Sequence, residues 1–212
     1  MKKVFSVLAV AAILFAANSA NAQIGVYAGY TPLTMTSTYT YNGNTSTDNS
    51  EFTSFAVGAN YNVELPAGLG LSLGLQARYA TSSDSVDLFV AKVKATQTQM
   101  LLDVPVLLNY GITLGRDARL SAFAGPMFTY ALSGKTTTDA NTVIGNGSNE
   151  SDWYGDNSDM NRFNLSGAAG VCFTYNGLRL FGGYQMGFLN LTKAENTTLK
   201  TSGIFFGLGY AL

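Results

Sequence analysis

The sequence predicts an all-β chain, an eight-stranded antiparallel up-and-down transmembrane β-barrel, and three observations carry that expectation. Apolar and polar residues alternate strictly in run after run. An export leader stands in front of the runs. Short turns and long polar connections then follow one another in regular succession. The clearest run is Leu69–Tyr79, with Leu69, Leu71, Leu73, Leu75, Ala77 and Tyr79 on one parity and Gly70, Ser72, Gly74, Gln76 and Arg78 on the other. Successive strand side chains point to opposite faces, so this segment offers lipid one face and keeps a small, polar one for the inside.

The leader is read from its three parts. Lys2 and Lys3 are basic, Val4 to Ala17 are mostly apolar, and Ala20-Asn21-Ala22 is a small-residue cleavage site, so residues 1–22 are expected to be a cleaved signal peptide and 23–212 the barrel domain. About fourteen apolar residues fall short of the ~20 a spanning helix needs. Cysteine is absent near the site, so a lipid-anchored N-terminus is not expected. The 190 residues that remain (212 minus 22) carry ten basic and thirteen acidic side chains once Lys2 and Lys3 are removed, a net of −3, which is not the balance of a nucleic-acid binder. A single cysteine, Cys172, cannot form an intramolecular disulfide. No run beyond the leader is long and apolar enough for a membrane helix.

The eight strands are expected in order. The first is about Ile24–Leu33, the second about Phe52–Leu65 with Phe55, Val57, Ala59 and Tyr61 outward, and the third begins after the tight Pro66-Ala67-Gly68 turn. The fourth spans about Thr96–Tyr110 and the fifth about Arg119–Leu132. The sixth, about Arg162–Tyr175, ends at Asn176-Gly177, a pair that accepts the positive φ of a type I′ hairpin. The seventh carries Leu178, Leu180, Tyr184, Met186 and Phe188 outward, and the eighth is Thr201–Leu212. Each run is about ten residues or longer, enough for a tilted strand to cross an apolar band of ~25 Å. The turns at Pro66–Gly68, Gly111–Ala118 and Asn176–Gly177 are short; the connections Met35–Glu51, Thr81–Ala95, Ser133–Asn161 and Leu191–Lys200 are expected as longer polar loops. That alternation puts both termini on the periplasmic side. A soluble lipocalin-like barrel would instead turn its apolar parity inward. The barrel is expected to take up all of 23–212, with no plug domain and no peptidoglycan-binding tail.

Three segments carry a family likeness. Leu102-Asp103-Val104-Pro105-Val106-Leu107-Leu108-Asn109-Tyr110 resembles an L-E-I-P-L-L-L-K-Y strand, Ala124-Gly125-Pro126-Met127-Phe128-Thr129-Tyr130 resembles the strand after it, and Gly183-Tyr184-Gln185-Met186-Gly187-Phe188-Leu189-Asn190 resembles an R-Y-x-x-G-L-x-N strand. Together they resemble the small bacterial outer-membrane β-barrel family labelled porin-family or PorT-like, an eight-stranded barrel of the OmpA/OmpX-like kind. The likeness implies the fold and a Gram-negative cell envelope, and no particular ligand. Family members more often end in an aromatic residue than in Leu212.

Parity places Glu64, Gln76, Arg78, Asp103, Asn109, Arg119, Arg162, Asn164, Arg179 and Gln185 on the inner face. Four arginines against two acids give that set a formal charge of +2. Two readings follow: a narrow anion-preferring passage, or an ion-paired network of side chains that plugs the lumen. The narrowness of an eight-stranded interior favours the plug. Counting up from the periplasmic turn sets Asp103 beside Arg78 on the neighbouring strand. Pro105, which lacks a ladder donor, is expected at a bulge or kink. Leu101, Leu107, Phe181 and Leu189 are expected to fill the interior by parity.

Catalysis finds little support. The chain has no histidine, which removes Ser-His-Asp and Cys-His arrangements and most zinc sites. No cofactor motif is present. In the third long connection Asp152, Asp156 and Asp159 are weak candidates for Ca²⁺ without EF-hand spacing, and Trp153-Tyr154 is an aromatic pair suited to adhesion or to a membrane interface. The expected protein is a structural or surface-interacting outer-membrane barrel, with a passive-diffusion porin as the alternative and a lipid-modifying enzyme behind it. Its expected partners are outer-membrane lipids, lipopolysaccharide and, through the last strand, the barrel-insertion machinery.

Overall fold

The computed structural model describes residues 22–88, 91–142, 145–155 and 158–212. The leader, residues 1–21, lies outside the described residues. Nine strands are present among them: β1 (Ala22–Tyr41), β2 (Asn44–Glu64), β3 (Leu69–Leu88), β4 (Ala91–Leu114), β5 (Ala118–Thr142), β6 (Gly145–Asp152), β7 (Phe163–Tyr175), β8 (Leu178–Gly187) and β9 (Thr197–Ala211). All pair antiparallel, and eight of them close a ring, β1-β2-β3-β4-β5-β7-β8-β9, sealed by β9 against β1. The ninth, β6, continues the hairpin of β5 above the ring.

The registers also fix the stagger. A path from Ala22 runs through Val63, Leu71, Leu108, Ala124, Ala169, Tyr184 and Ile204. Ile204 sits next to Gly203, the partner of Leu33, so the path re-enters β1 roughly ten residues above its start. A stagger of that size forces the strands to tilt and leaves an interior that side chains can fill.

Alternation governs burial as the sequence leads one to expect. Phe55, Val57, Leu75, Leu108, Val171, Leu180, Ile204 and Leu208 stand exposed on the outside, and Ser54, Ala56, Arg78, Asp103, Asn164 and Ser166 are buried inside. The exposed apolar side chains form a belt around the ring. In water such a belt is a liability; facing lipid, it is the surface that holds a barrel in place.

The ends of the strands differ from expectation. Of the four polar connections one stays irregular, from Leu191 to Asn196 before β9 begins, and three are in large part not loops: β1 and β2 run on to a turn at Asn42-Gly43, β3 and β4 pair up to Leu88–Ala91, and β5 pairs with β6. Their hydrogen-bonded rungs are threonine-rich and wet on both faces, with Thr36 donating to Asn49 at 2.9 Å and Thr38 and Thr40 facing Thr47 and Thr45. Polarity on both faces hides a strand from a periodicity argument but does not prevent a ladder. The turn between β4 and β5 is also tighter than expected, Gly115–Asp117, because Ile112 and Leu114 prolong the outward apolar row. Both Asn-Gly turns have positive φ at each residue: 48° and 79° at Asn42-Gly43, 48° and 83° at Asn176-Gly177.

Pro105 makes no bulge. The β3–β4 register is the same below it (Leu73 with Val106) and above it (Gln76 with Asp103). The irregularity lies on β5 instead, where Met100 faces Ser133 and Leu101 faces Ala131, leaving Leu132 as an extra residue. Leu189 is a second correction: β8 stops at Gly187, and Leu189 lies exposed beyond it rather than in the interior. Leu101 is buried inside as parity requires, while Leu107 and Phe181 line the lumen.

Candidate functional site in the barrel lumen

The lumen is layered. At mid-height the carboxylate of Asp103, fully buried, accepts from the Gln76 amide at 2.7 Å, the Arg78 guanidinium at 2.8 Å and the Thr129 hydroxyl at 2.6 Å. Register explains the meeting. Gln76 on β3 and Thr129 on β5 are the two cross-strand partners of Asp103 on β4, and Arg78 is the next inward residue up from Gln76. The Tyr27 hydroxyl donates to the Gln76 amide oxygen at 3.0 Å, extending the network past Gly58 of β2 to β1. Three donors, one of them a charged guanidinium, satisfy the buried carboxylate oxygens.

Above this layer the interior turns apolar. Leu33, Phe52 and Ala80 form a buried cluster against which Met35 and Trp153 pack, and Trp153 meets Phe52 edge-on at 6.3 Å between ring centres. The Trp153 indole donates to the Thr136 hydroxyl at 2.6 Å. Trp153-Tyr154 therefore folds back over the mouth of the barrel and is not displayed for adhesion. A small cavity of about 40 Å³ remains between the cluster and the Asp103 layer; Arg78 and Asn164, which each keep one unpartnered buried polar atom, line it.

Arg162 departs most from the expected network. It lies just ahead of β7 at the rim, where its guanidinium donates to the carbonyls of Ala131 and Leu132 at 3.1 and 3.0 Å and to the Tyr154 carbonyl at 3.0 Å. The Tyr154 ring lies 4.9 Å beneath it, a cation–π contact. Arg162 thus satisfies carbonyls at the β5 bulge instead of a carboxylate in the lumen. Burial raises the Tyr154 phenol to about 12, outweighing the pull of Arg162 in the other direction.

The lower lumen, toward the short turns, holds the other charges. Arg119 pairs with Glu64 and donates to the Gly68 carbonyl at 3.2 Å. Arg179 reaches the Gln23 amide oxygen at 3.5 Å and, with the Asn62 amide turned oxygen-first, Asn62 at 2.8 Å. Between this floor and the Asp103 layer lies a cavity of about 220 Å³; Gln185, buried on β8, borders both this cavity and the one above. Of the inner set named from sequence, Gln76, Arg78 and Asp103 meet, Glu64 and Arg119 meet, and Arg162 and Arg179 stand apart from both. Parity alone missed Thr129 and Tyr27; each is the inward residue directly across from a named one or from its neighbour.

Beyond the mouth, Lys135 on β5 pairs with Glu150 on β6, and that hydrogen bond raises the Lys135 ammonium above its ordinary value. Asp156 lies outside the described residues. Among the described residues no three His, Cys, Asp or Glu side chains come together as a metal site.

The sequence profile of the family described as outer membrane protein beta-barrel domain matches residues 81–193, just over half of the chain. Among solved structures the chain is similar to Ail of Yersinia pestis, solved with the heparin analogue sucrose octasulfate, at 12% identity and a TM-score of 0.42 over 91% of this chain and 99% of that one. It is likewise similar to OprG of Pseudomonas aeruginosa (12%, 0.42, 92% and 98%) and to Neisserial surface protein A (11%, 0.41, 90% and 98%). No curated protein matches it by sequence. A closed eight-stranded ring, an apolar belt outside and a polar interior accompany that profile, and the chain belongs to the outer-membrane-protein β-barrel domain family, a protein of the bacterial outer membrane.

Proposed function

We propose that this barrel is a non-conducting element of the outer membrane that carries rigid β arms into the space outside the cell. The observation that supports this most is the double obstruction of the lumen: the buried Asp103 layer, with the Leu33–Phe52–Ala80 cluster and Trp153 stacked above it. An ion crossing that stretch would have to displace a paired charge and then traverse an apolar cluster, and both steps are costly. The arms support the second half of the reading. Strands continue as paired hairpins well past the apolar belt, which gives the exposed surface a fixed shape for contacts with lipopolysaccharide or another surface.

The test is planar-bilayer conductance of the refolded barrel. Silence at all applied voltages is the expected result; steady ohmic conductance would overturn the plug and put the diffusion porin in its place. The porin reading draws on the 220 Å³ cavity of the lower lumen, which is already open space. A lipid-modifying activity has no comparable support: the sequence holds no histidine, and the sole cysteine, Cys172, lines the lower cavity with Thr174 at 3.8 Å. The leader is proposed to be removed after Ala22. The last strand, whose Leu212 amide donates to the Ile24 carbonyl at 2.8 Å, is proposed as the segment handled by the insertion machinery.

A further inference from the structure

The lower cavity has a floor, walls and a roof of different chemistry. Its walls are aromatic: Tyr27 meets Phe181 edge-on with ring centres 5.8 Å apart, and Phe123 stacks on Phe205 at 6.1 Å. The roof is the Gln76 amide, held from both sides by Tyr27 and Asp103. The floor carries two cations and one anion, Arg119, Arg179 and Glu64, a formal charge of +1.

That surplus charge sits on one residue. Arg119 is committed to Glu64, whereas Arg179 reaches only neutral amide oxygens and has no carboxylate within ion-pair distance among the described residues, with Glu64 and the like-charged Arg119 acting on it from farther off. A guanidinium drawn partly out of water without a counter-charge is undercompensated. Its best complement is a single carboxylate, which the planar fork of arginine can take through two hydrogen bonds. Aromatic walls above that point favour a flat apolar body, since ring edges and faces pack well against another ring. The fixed roof limits the length of the guest. Access is from the periplasmic end, where the Glu64 side chain is 47% exposed.

We infer that the periplasmic half of the lumen is a binding pocket for a small aromatic monocarboxylate, its carboxylate on Arg179 and its ring among Tyr27, Phe123 and Phe181. The pocket needs no closed outer end, so its fate is separate from that of the non-conducting reading. Cys172 lines the same cavity and, as the sole cysteine, reports on occupancy.

The experiment uses the refolded barrel in detergent, with trans-cinnamate as probe and its uncharged amide, cinnamamide, as control. Calorimetry should show saturable one-to-one binding of cinnamate, at least about tenfold tighter than of cinnamamide. Arg179→Gln should remove that preference while the barrel keeps its heat-modifiable gel mobility. Cinnamate, and not cinnamamide, should slow alkylation of Cys172 by iodoacetamide in the unmutated protein, which decides the matter even if the variant does not fold. Equal affinity for the two probes, non-saturable partitioning, or an Arg179→Gln barrel that still prefers the carboxylate would each overturn the inference.

Discussion

The ring of Pro105 occupies the space that a side chain at position 74 would need: its Cγ lies 2.7 Å from where a Cβ on Gly74 would stand. Proline removes a ladder donor from β4, and the glycine opposite lets the strand pass without a bulge, so the register below and above is unbroken. Gly74→Ala should therefore cost roughly 1–3 kcal/mol through overpacking. Pro105→Ala in the same chain should return part of that loss. Denaturant unfolding of the four proteins in lipid vesicles measures the coupling, and additive losses would show that the two positions do not meet.

Opposite faces of one strand should respond differently to change. Val171 stands exposed on the apolar belt and its neighbour Cys172 faces the lumen. Val171→Arg should destabilise the embedded barrel by roughly 2–4 kcal/mol if the position is near the bilayer midplane. Cys172→Ser should have a much smaller effect. Similar losses at both positions, measured by the same unfolding titration, would undo the assignment of the outer face.

Asp103 holds three donors, so removing it leaves Arg78 charged, buried and alone. Asp103→Ala should lower stability by about 3–5 kcal/mol, because an unpaired buried ion costs more than the intact pair contributes. Adding Arg78→Gln should recover part of the loss. A double variant no more stable than Asp103→Ala would mean that the carboxylate acts through Gln76 and Thr129 rather than through the ion pair.

Tyr154 should ionise late. In the folded barrel its phenol holds the proton to about pH 12, against an ordinary value of 10.0. The folded state is then the tighter proton binder, so the stability tied to this group is complete below pH 10 and is lost as pH rises toward 12. Ultraviolet titration of the barrel against Tyr154→Phe isolates the group. A difference curve centred near 10 would mean that Tyr154 is not covered at the mouth.

The barrel wall is legible in the sequence because one face meets lipid and the other does not, which leaves a period-two record at Phe55–Tyr61, Leu69–Tyr79 and Phe163–Tyr175. The neighbourhood of Asp103 and Arg78 is legible for a related reason: parity gives the face, and counting up from Tyr110 on one strand and Leu69 on the other, both at the periplasmic end, gives the height. The arms leave no such record, since Thr36–Thr40 and Thr45–Thr47 are wet on both sides; the overlooked signal was Asn42-Gly43, the same turn dipeptide that marks Asn176-Gly177. Arg162 is misplaced by parity because the extra residue at Leu132 creates a demand for donors at the rim, and nothing in the residues around Leu132 announces a bulge. The aromatic lid is hidden for the same kind of reason, as Trp153 is drawn in by Phe52, a residue about a hundred positions away.

Pairing between β2 and β3 ends at Thr53–Thr81, although both strands continue. From that rung upward the cylinder splits into two blades, β9-β1-β2 on one side and β3-β4-β5-β6 on the other, each held by its own rungs. Above it no β2–β3 rung joins them, and they meet instead at the mouth, through the bridge between Met160 and Thr192 and through Trp153 against Phe52. Below the split the closed ring fixes one geometry; beyond those mouth contacts the hairpin tips, from the rung Thr36–Asn49 on one blade and the rung Ser83–Thr96 on the other, are paired only within their own blades, so each can be shortened or extended without asking the membrane-spanning wall to refold.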